Sequence, residues 1–442
     1  MTAIYDSDLL DKQSTVRDLL ARYGVKFGIY KKDHLHEQLF PFDPIPRVIE
    51  ADEFQKLEKG LKQRVTAINE FLGDIYGKQL IIKDGVIPEN FIFGNRAFMK
   101  QCVGIVPPKN IHAHISGINL VQNRQGEWFV MNDNIHIPSG ASYPMIARKI
   151  CRRSSPKTFT DNHIEDNRNY GQLLRQTLDY VNTGGMTVIL TPGRQSGVYF
   201  EHSYLAEMTG AQLVTARELT VKDNTLYFNE YTGRQIKVGA LYTRIRDCYL
   251  DPANGGQSPQ VGVPHIFDAY RSGNLAIVNA PGSAIADNKG IYYYMPQIIR
   301  YYLDEEPLLK NAPSYLPVNE EDRAYILDHF DNLVLKDVDG SEGYGMHFIS
   351  GMARQEKELF RDIMLREPQR FIAQEVIDYQ ELDIMSNRER TPRKADVRMF
   401  VLMQDEPMVW KSGLTRYAMN PGSYIVNASQ GGGFKDTWVL CH

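Results

Sequence analysis

The sequence is poor in the features that mark the more specialised protein classes. Four cysteines in 442 residues (Cys102, Cys151, Cys248 and Cys441) include no C-x-x-C pair. That excludes a disulfide framework and fits reduced thiols. No stretch reaches the roughly 18–20 uninterrupted apolar residues that a membrane helix needs. An excess of one charge is also missing. Lys and Arg number 50 against 54 Asp and Glu, a formal net charge of −4, without the basic surplus of a dedicated nucleic-acid binder. The opening MTAIYDSDLLDK lacks a basic-then-apolar pattern, so no signal peptide is expected and the expected location is cytoplasmic. What is present is ordinary globular material: 43% apolar and 24% charged residues, enough for about three domains or two large ones.

Residues 52–77 carry Phe54, Leu57, Leu61, Val65, Ile68, Leu72 and Ile75 at three- and four-residue spacing, which predicts one amphipathic helix. Two strands are expected near 115–122 and 127–132, joined by a polar turn and ended by Pro138 and Gly140. The polar stretch 152–169 reads as a domain boundary, and the basic run RKICRR (148–153) as solvated surface leading into it. Beyond it, MTVILT, YFEHSYLAEMTG and AQLVTA give a βαβ rhythm, followed by antiparallel ribbons over 219–246. A Tyr-rich helix follows NAPGSAIADNK, and a second α/β block starts near Leu333.

The sharpest local signal is NLVLKDVDGSEGYGMHF. A strand delivers Lys336, and Gly340, Gly343 and Gly345 follow before a second strand. Glycines at such a turn let backbone N–H groups approach phosphate oxygens, with the lysine supplying charge. The alternative is a hairpin whose turn needs positive φ. The segment is neither a P-loop nor a dinucleotide-binding fingerprint. FIAQEVIDY puts Gln374 and Glu375 inside an apolar strand, as a strand end that hydrogen-bonds a purine would; a solvated edge strand is the alternative. ADVRMFVLM sets Asp396 and Arg398 on one strand face. Arg416, Asn427, three glycines at 431–433, Lys435 and Asp436 follow. Cations that converge with a glycine-rich loop suit phosphoryl transfer, because the moving charge needs fixed positive partners. His112 and His114 in IHAHI share a strand face, but no third metal ligand accompanies them.

The order of these parts resembles the ATP-grasp superfamily over 287–437. Nearly the whole chain resembles its circularly permuted, glutathionylspermidine-synthase-like branch, which shares LTPGR…YFEHSYLAEM, YLDP, NAPGSAIAD and YYLDEEPLL. The resemblance implies an α/β (α+β) fold: a circularly permuted ATP-grasp core with a βαβ accessory domain. Residues 1–150 and 381–442 would form the metal-bearing core, 291–380 the ATP-binding lid, and 151–290 the accessory substrate domain. Lys289 and Lys336 would hold the ATP phosphates under the 340–345 loop, and Gln374, Glu375, Val376 and Ile377 would form the hinge. Arg398, Arg416 and Lys435 would stabilise the phosphoryl group in transfer, and Asn119, Asn132 and Asn134 would occupy the Mg²⁺ positions. At two of those positions the superfamily carries acids, Asp at 119 and Glu at 132; this chain has Asn at both. Asp133 and Asp436 are candidate substitutes.

The implied activity is ATP-dependent ligation of a carboxylate to an amine through an acyl phosphate, on small-molecule substrates such as a peptide or polyamine, with no nucleic-acid or membrane partner. The alternative is a nucleotide-binding protein with weak or no ligase activity.

Overall fold

The apolar stripe expected over 52–77 is one helix, Ala51–Ile75, with all seven stripe residues buried. It lies against the largest of four sheets, the smallest being the β1–β2 pair, in a computed structural model that describes residues 13–31, 34–154, 156, 159, 162–254, 261–340, 345–386 and 389–441. The first third of the chain contributes β1 (Lys26–Lys31), β2 (His34–Leu39), β3 (Phe42–Ile49), β4 (Ile115–Gln122) and β5 (Trp128–Asn134). The middle contributes β6 (Met186–Leu190), β7 (Gln212–Val214), β8 (Leu219–Lys222), β9 (Thr225–Asn229), β10 (Gln235–Thr243) and β11 (Ala276–Val278). Next come β12 (Lys310–Asn311), β13 (Ser314–Tyr315), β14 (Leu333–Asp337), β15 (Met346–Phe348) and β16 (Phe371–Glu375). The C-terminal part contributes β17 (Glu381–Ser386), β18 (Glu389–Met403), β19 (Pro407–Tyr417) and β20 (Gly433–Val439).

The largest sheet runs β12-β5-β4-β18-β19-β20-β3, with β17 also paired to β18. Strands from the two ends of the chain alternate in it: β18 pairs with β4, and β20 runs parallel to β3. Neither end can complete this sheet alone, as a permuted core requires. Alternation along each strand splits its faces. Ile118, Leu120, Val130, Val397, Met399 and Val401 join the core under helix Ala51–Ile75 and helix Lys289–Leu303. Tyr292 fastens the latter helix to β5, its hydroxyl donating to the Val130 carbonyl at 2.6 Å. Asn119, Asp396 and Arg398, one residue out of phase with that core set, face the other way, together with their cross-strand partners Asn132 and Arg416; a register shift beside Asn119 turns Asn132 to that side.

The second sheet runs β7-β6-β10-β9-β8, with β11 on β10. The expected antiparallel ribbon is present over β8, β9 and the start of β10. The later half of β10 turns parallel to β6 and β11, so one strand joins both patterns. The third sheet, β13-β16-β14-β15, is antiparallel throughout. Leu333, Leu335, Phe371 and Ala373 point into its own small core with Ile326, Phe330, Ile349 and Met364. Val334, Lys336 and Gln374 point the opposite way, toward the large sheet.

The run RKICRR is solvated surface only in part: Lys149 and Arg153 are exposed, whereas Arg148, Ile150 and Cys151 are buried. It belongs to helix Ser142–Ser154, where Arg148 is buried and donates to Asp436 at 2.6 Å and to the Thr437 and Glu165 carbonyls. The fork of one guanidinium meets three acceptors that only the tertiary fold brings together.

Candidate functional site

The outward-facing residues of the small sheet and the polar face of the large sheet oppose each other across a cleft of about 620 Å³, counted with the solvent at its mouth. On the small-sheet side, cross-strand neighbours set the surface: Phe348 opposite Val334, which faces Gln374, and Met346 opposite Lys336. On the core side, Asn132, Asn119 and Arg398 are direct neighbours across β5, β4 and β18, and Asp396 pairs with Arg416 across β18 and β19. A register shift between Asn119 and Leu120 leaves Met131 without a partner and turns it into the cleft, the usual work of a bulge beside a site. Tyr379, Tyr424, Ile425, Val426 and Asn427 complete the wall. Tyr424 stacks on Phe348 at 5.4 Å and takes the Lys394 ammonium at 3.5 Å from its ring centroid, so one side chain bridges the small sheet and β18.

Several residues expected from sequence line this cleft. The Lys336 ammonium donates to the Gln374 carbonyl oxygen, and the Gln374 amide donates to Ser314 at 3.0 Å. Burial lowers Lys336 to about 7, and the like charge of Lys289 adds to the shift. Lys289 follows the Asn288 helix cap and donates to the Asp337 and Gly340 carbonyls, tethering the glycine-bearing loop. Burial lowers it to about 8 against the opposing pull of Asp337, Asp339 and Asp287. Gly345 has φ +74, and a Cβ there would lie 2.5 Å from an Asp337 carboxylate oxygen, so this turn accepts only glycine. Gly340 is described; Gly343 lies outside the described residues. Glu375 accepts from the Tyr315 and Tyr325 hydroxyls at 2.8 and 2.9 Å. Val376 and Ile377 follow the end of β16 and line the cleft, as do Asn119, Asn132 and Arg416.

Arg398 is half-buried behind the cleft-lining Asn119, its Nε donating to Asn119 Oδ1 at 2.8 Å and its Nη1 to the Ser139 carbonyl at 2.8 Å. That carbonyl belongs to the loop after β5, which side chains from the middle of the chain hold. Arg244 donates to the Pro138 carbonyl and the Ser139 hydroxyl, while Glu201 accepts from the Gly140 N–H and the Ser142 hydroxyl. Gly140 has φ +111, and an added Cβ would sit 2.5 Å from Leu414 Cδ2. Gly140→Ala is therefore expected to cost about 1–3 kcal/mol in urea denaturation; an unchanged midpoint would refute this packing argument.

Lys435 is not brought to the cleft. Its neighbour Phe434 pairs with Arg416 and shares its face, so Lys435 points to the opposite side. There it is buried, donating to Asp43 at 2.5 Å and to the Asp383 carbonyl at 2.6 Å. Arg416 itself is engaged on both sides of the fork, with Asp396 and with Asn427 at 2.8 Å.

The amide triad does not fit Mg²⁺. Asn132 Oδ1 accepts from Asn119 Nδ2 at 3.0 Å, and Asn119 Oδ1 accepts from Arg398, so both carbonyl oxygens already meet N–H donors. The Asn134 Nδ2 donor is buried without a partner. A hard cation needs unspent oxygens, preferably charged. Neither candidate substitute supplies one. Asp133 points to the far face, where it makes a two-armed pair with Arg64 at 2.7 Å for each bond, and Asp436 is held by Arg148 and Trp438. Nearby Asp287 accepts the Ile135 and His136 N–H groups. No three His, Cys, Asp or Glu side chains converge as a metal site among the described residues. His112 and His114 are buried in the core, where desolvation lowers them to about 4 and 3.

Sequence reasoning missed Met131, Phe348, Tyr379 and Tyr424. The first depends on a bulge, and the others are aromatic residues with nothing local to separate them from core packing.

Among known proteins, the chain is 41% identical over 437 residues to an uncharacterised protein of Synechocystis, covering 98% of this chain and 91% of that one. It is 35% identical over 407 residues to a Frankia casuarinae protein that carries the provisional name glutamate–cysteine ligase 2-2, covering 90% of this chain and 47% of that longer one. A solved glutathione synthetase-like effector of Globodera pallida, in its apo form, shares the fold with a TM-score of 0.65 at 11% identity, over 99% of this chain and 98% of that one. With residues 46–418 matching its family description, and with strands from both ends of the chain interleaved in one sheet, the chain belongs to the circularly permuted ATP-grasp type 2 family, whose ligases generally use ATP and Mg²⁺.

Proposed function

We propose that this protein is an ATP-dependent carboxylate–amine ligase that works through an acyl phosphate. The observation that carries the reading is the cleft itself. An apolar slot lined by Val334, Phe348, Met131, Ile377 and Val426 suits a purine, and the buried Lys336 ammonium lies in its wall, with Lys289 near enough to add like charge. The strand end at Val376 and Ile377 offers backbone groups to the base edge. Lys336 and Lys289 would meet the phosphates, with the 340–345 loop above them. In the first step a substrate carboxylate oxygen attacks the terminal phosphorus, a new P–O bond forms, and ADP leaves with the electron pair of the broken bond. An amine then attacks the acyl carbon, the C–N bond forms, phosphate departs, and the amine proton goes to solvent. Arg398 would face the moving phosphoryl charge. Arg416, locked to Asp396 and Asn427, would keep that wall rigid.

Both lysines titrate low in the nucleotide-free protein, so phosphate binding must draw protons onto them. ATP affinity is therefore expected to fall as pH rises from about 7 to 9, by up to about tenfold per unit for each lysine. Calorimetry in buffers of different ionisation enthalpy should record net proton uptake. A flat pH profile with no uptake would sink the assignment of Lys336 and Lys289 to the phosphates.

A second reading, a nucleotide-binding protein with little chemistry, is favoured by one specific observation: the metal positions carry amides whose carbonyl oxygens are already engaged. ADP release across a panel of carboxylates and amines separates the two. Amine-dependent ADP release supports the ligase, while ATP binding with no release for any pair supports the second reading.

A further inference from the structure

We propose that this cleft binds its nucleotide as the metal-free polyphosphate, with the Arg398 guanidinium, held by the Asn119–Asn132 amide pair, standing where a divalent cation would otherwise neutralise phosphate charge. The inference rests on the nucleotide reading above and departs from it at the metal.

Four features of the site converge on this reading. Asn132, Asn119 and Arg398 form a hydrogen-bonded row across three neighbouring strands, each carbonyl oxygen accepting from the next donor. The row, with the Ser139 carbonyl at the other arm, fixes Arg398 at Nε and Nη1, and no acceptor among the described residues meets Nη2. Gly117 makes room for it: a Cβ there would lie 3.1 Å from Arg398 Cδ. Both of the cleft's carboxylates, moreover, already accept hydrogen bonds. Asp396 accepts from Arg416 Nε and Nη2, one on each oxygen, and Glu375 Oε1 accepts from two tyrosine hydroxyls. A divalent cation entering at the Asn119–Asn132 pair would displace N–H donors and gain no negative charge from either amide.

The groups left over, Arg398 Nη2 and Asn134 Nδ2, are donors, and donors recognise phosphate oxygens directly. Burial lowers Arg398 to about 9 and the neighbouring charge of Arg416 adds to that, marking a cation short of an anion. Acids at 119 and 132 would reverse this logic. They would add two negative charges to the wall and make a metal necessary before a polyphosphate could approach.

Titration calorimetry of the full chain with ATP, in EDTA and in excess Mg²⁺, tests the inference. The affinity in EDTA is expected to lie within about threefold of that in Mg²⁺, or to be tighter. Arg398→Ala should weaken binding in EDTA by about tenfold or more, the value of a lost charge-assisted bond. A thermal melt checks that this variant is folded, and Arg398→Lys, which keeps charge without the fork, should fall between. The double variant Asn119→Asp/Asn132→Glu should lose about tenfold or more of its ATP affinity in EDTA and recover it with Mg²⁺. A loss of about tenfold or more in EDTA for the unaltered chain would overturn the metal-free inference and leave the nucleotide reading standing. No binding of ATP under either condition would overturn both.

Discussion

Lys336→Met is expected to abolish most nucleotide binding while leaving the protein more stable. On β14 the side chain lies between Met346 and Ile372, in surroundings that a thioether fills without strain. Burial penalises its ammonium, since burial and then Lys289 push it from 10.5 to about 7. A lysine whose folded pKa lies below its unfolded value costs stability at every pH below the unfolded value, most of all below about 7 where both states are charged. Removing it should therefore raise the melting temperature by about 1–3 °C, more at pH 6 than at pH 9, after the loss of the Gln374 hydrogen bond is set against the gain. The same change removes a buried charge-assisted contact to phosphate, so ATP affinity should drop by about a hundredfold or more. Calorimetry beside a melt reads both effects. Affinity within about threefold of the unaltered chain would exclude Lys336 as a phosphate ligand. A lower melting temperature would mean that the lysine is structural.

Asp133→Ala should have the opposite profile. Asp133 shares a strand with Asn132 and Asn134, but its carboxylate lies on the far face, both oxygens on Arg64 of helix Ala51–Ile75. Arg64 reaches Asn311 with its remaining arm, so one ion pair ties the longest helix to β5 and β12. Deleting one partner of a buried pair strands the other charge, which costs about 3–5 kcal/mol. The urea midpoint should fall accordingly, whereas the ATP affinity of the folded fraction should not change. Were Asp133 a metal ligand, the outcome would invert: stability near that of the unaltered chain and a loss of Mg²⁺-dependent nucleotide affinity.

Much of the local structure could be read along the chain, because it follows from periodicity. The helix at Ala51–Ile75, the paired strands around 115–134 and the strand that delivers Lys336 each bury the residues that their spacing selects. The same two-residue alternation put Asp396 and Arg398 on one face. Applied to β20, it would also have argued against Lys435 had the pairing of Phe434 with Arg416 been known. That pairing is not a local quantity. Arg148 shows the same limit: a basic run reads as surface until an acid 288 positions away is found against it. Met131 enters the cleft through a register shift that no pattern of residue types announces.

By itself the sequence determined the composition of the site: lysines, arginines and glycines in the order of a permuted ATP-grasp chain, and amides at two positions where acids are expected. It also determined, through strand and helix periods, which face each local element buries. Only the tertiary structure decided what those amides do, because a hydrogen bond depends on who stands opposite. Asn119 and Asn132 come from one hairpin and Arg398 from a strand some 280 residues later, and their contact exists only once both ends of the chain share a sheet. Asp133 next door, identical in kind to the missing ligand, is turned by the strand's pleat into a structural ion pair. Residue type follows from sequence, but the direction and partner of a side chain are long-range quantities, and at this site they decide between holding a metal and holding an arginine.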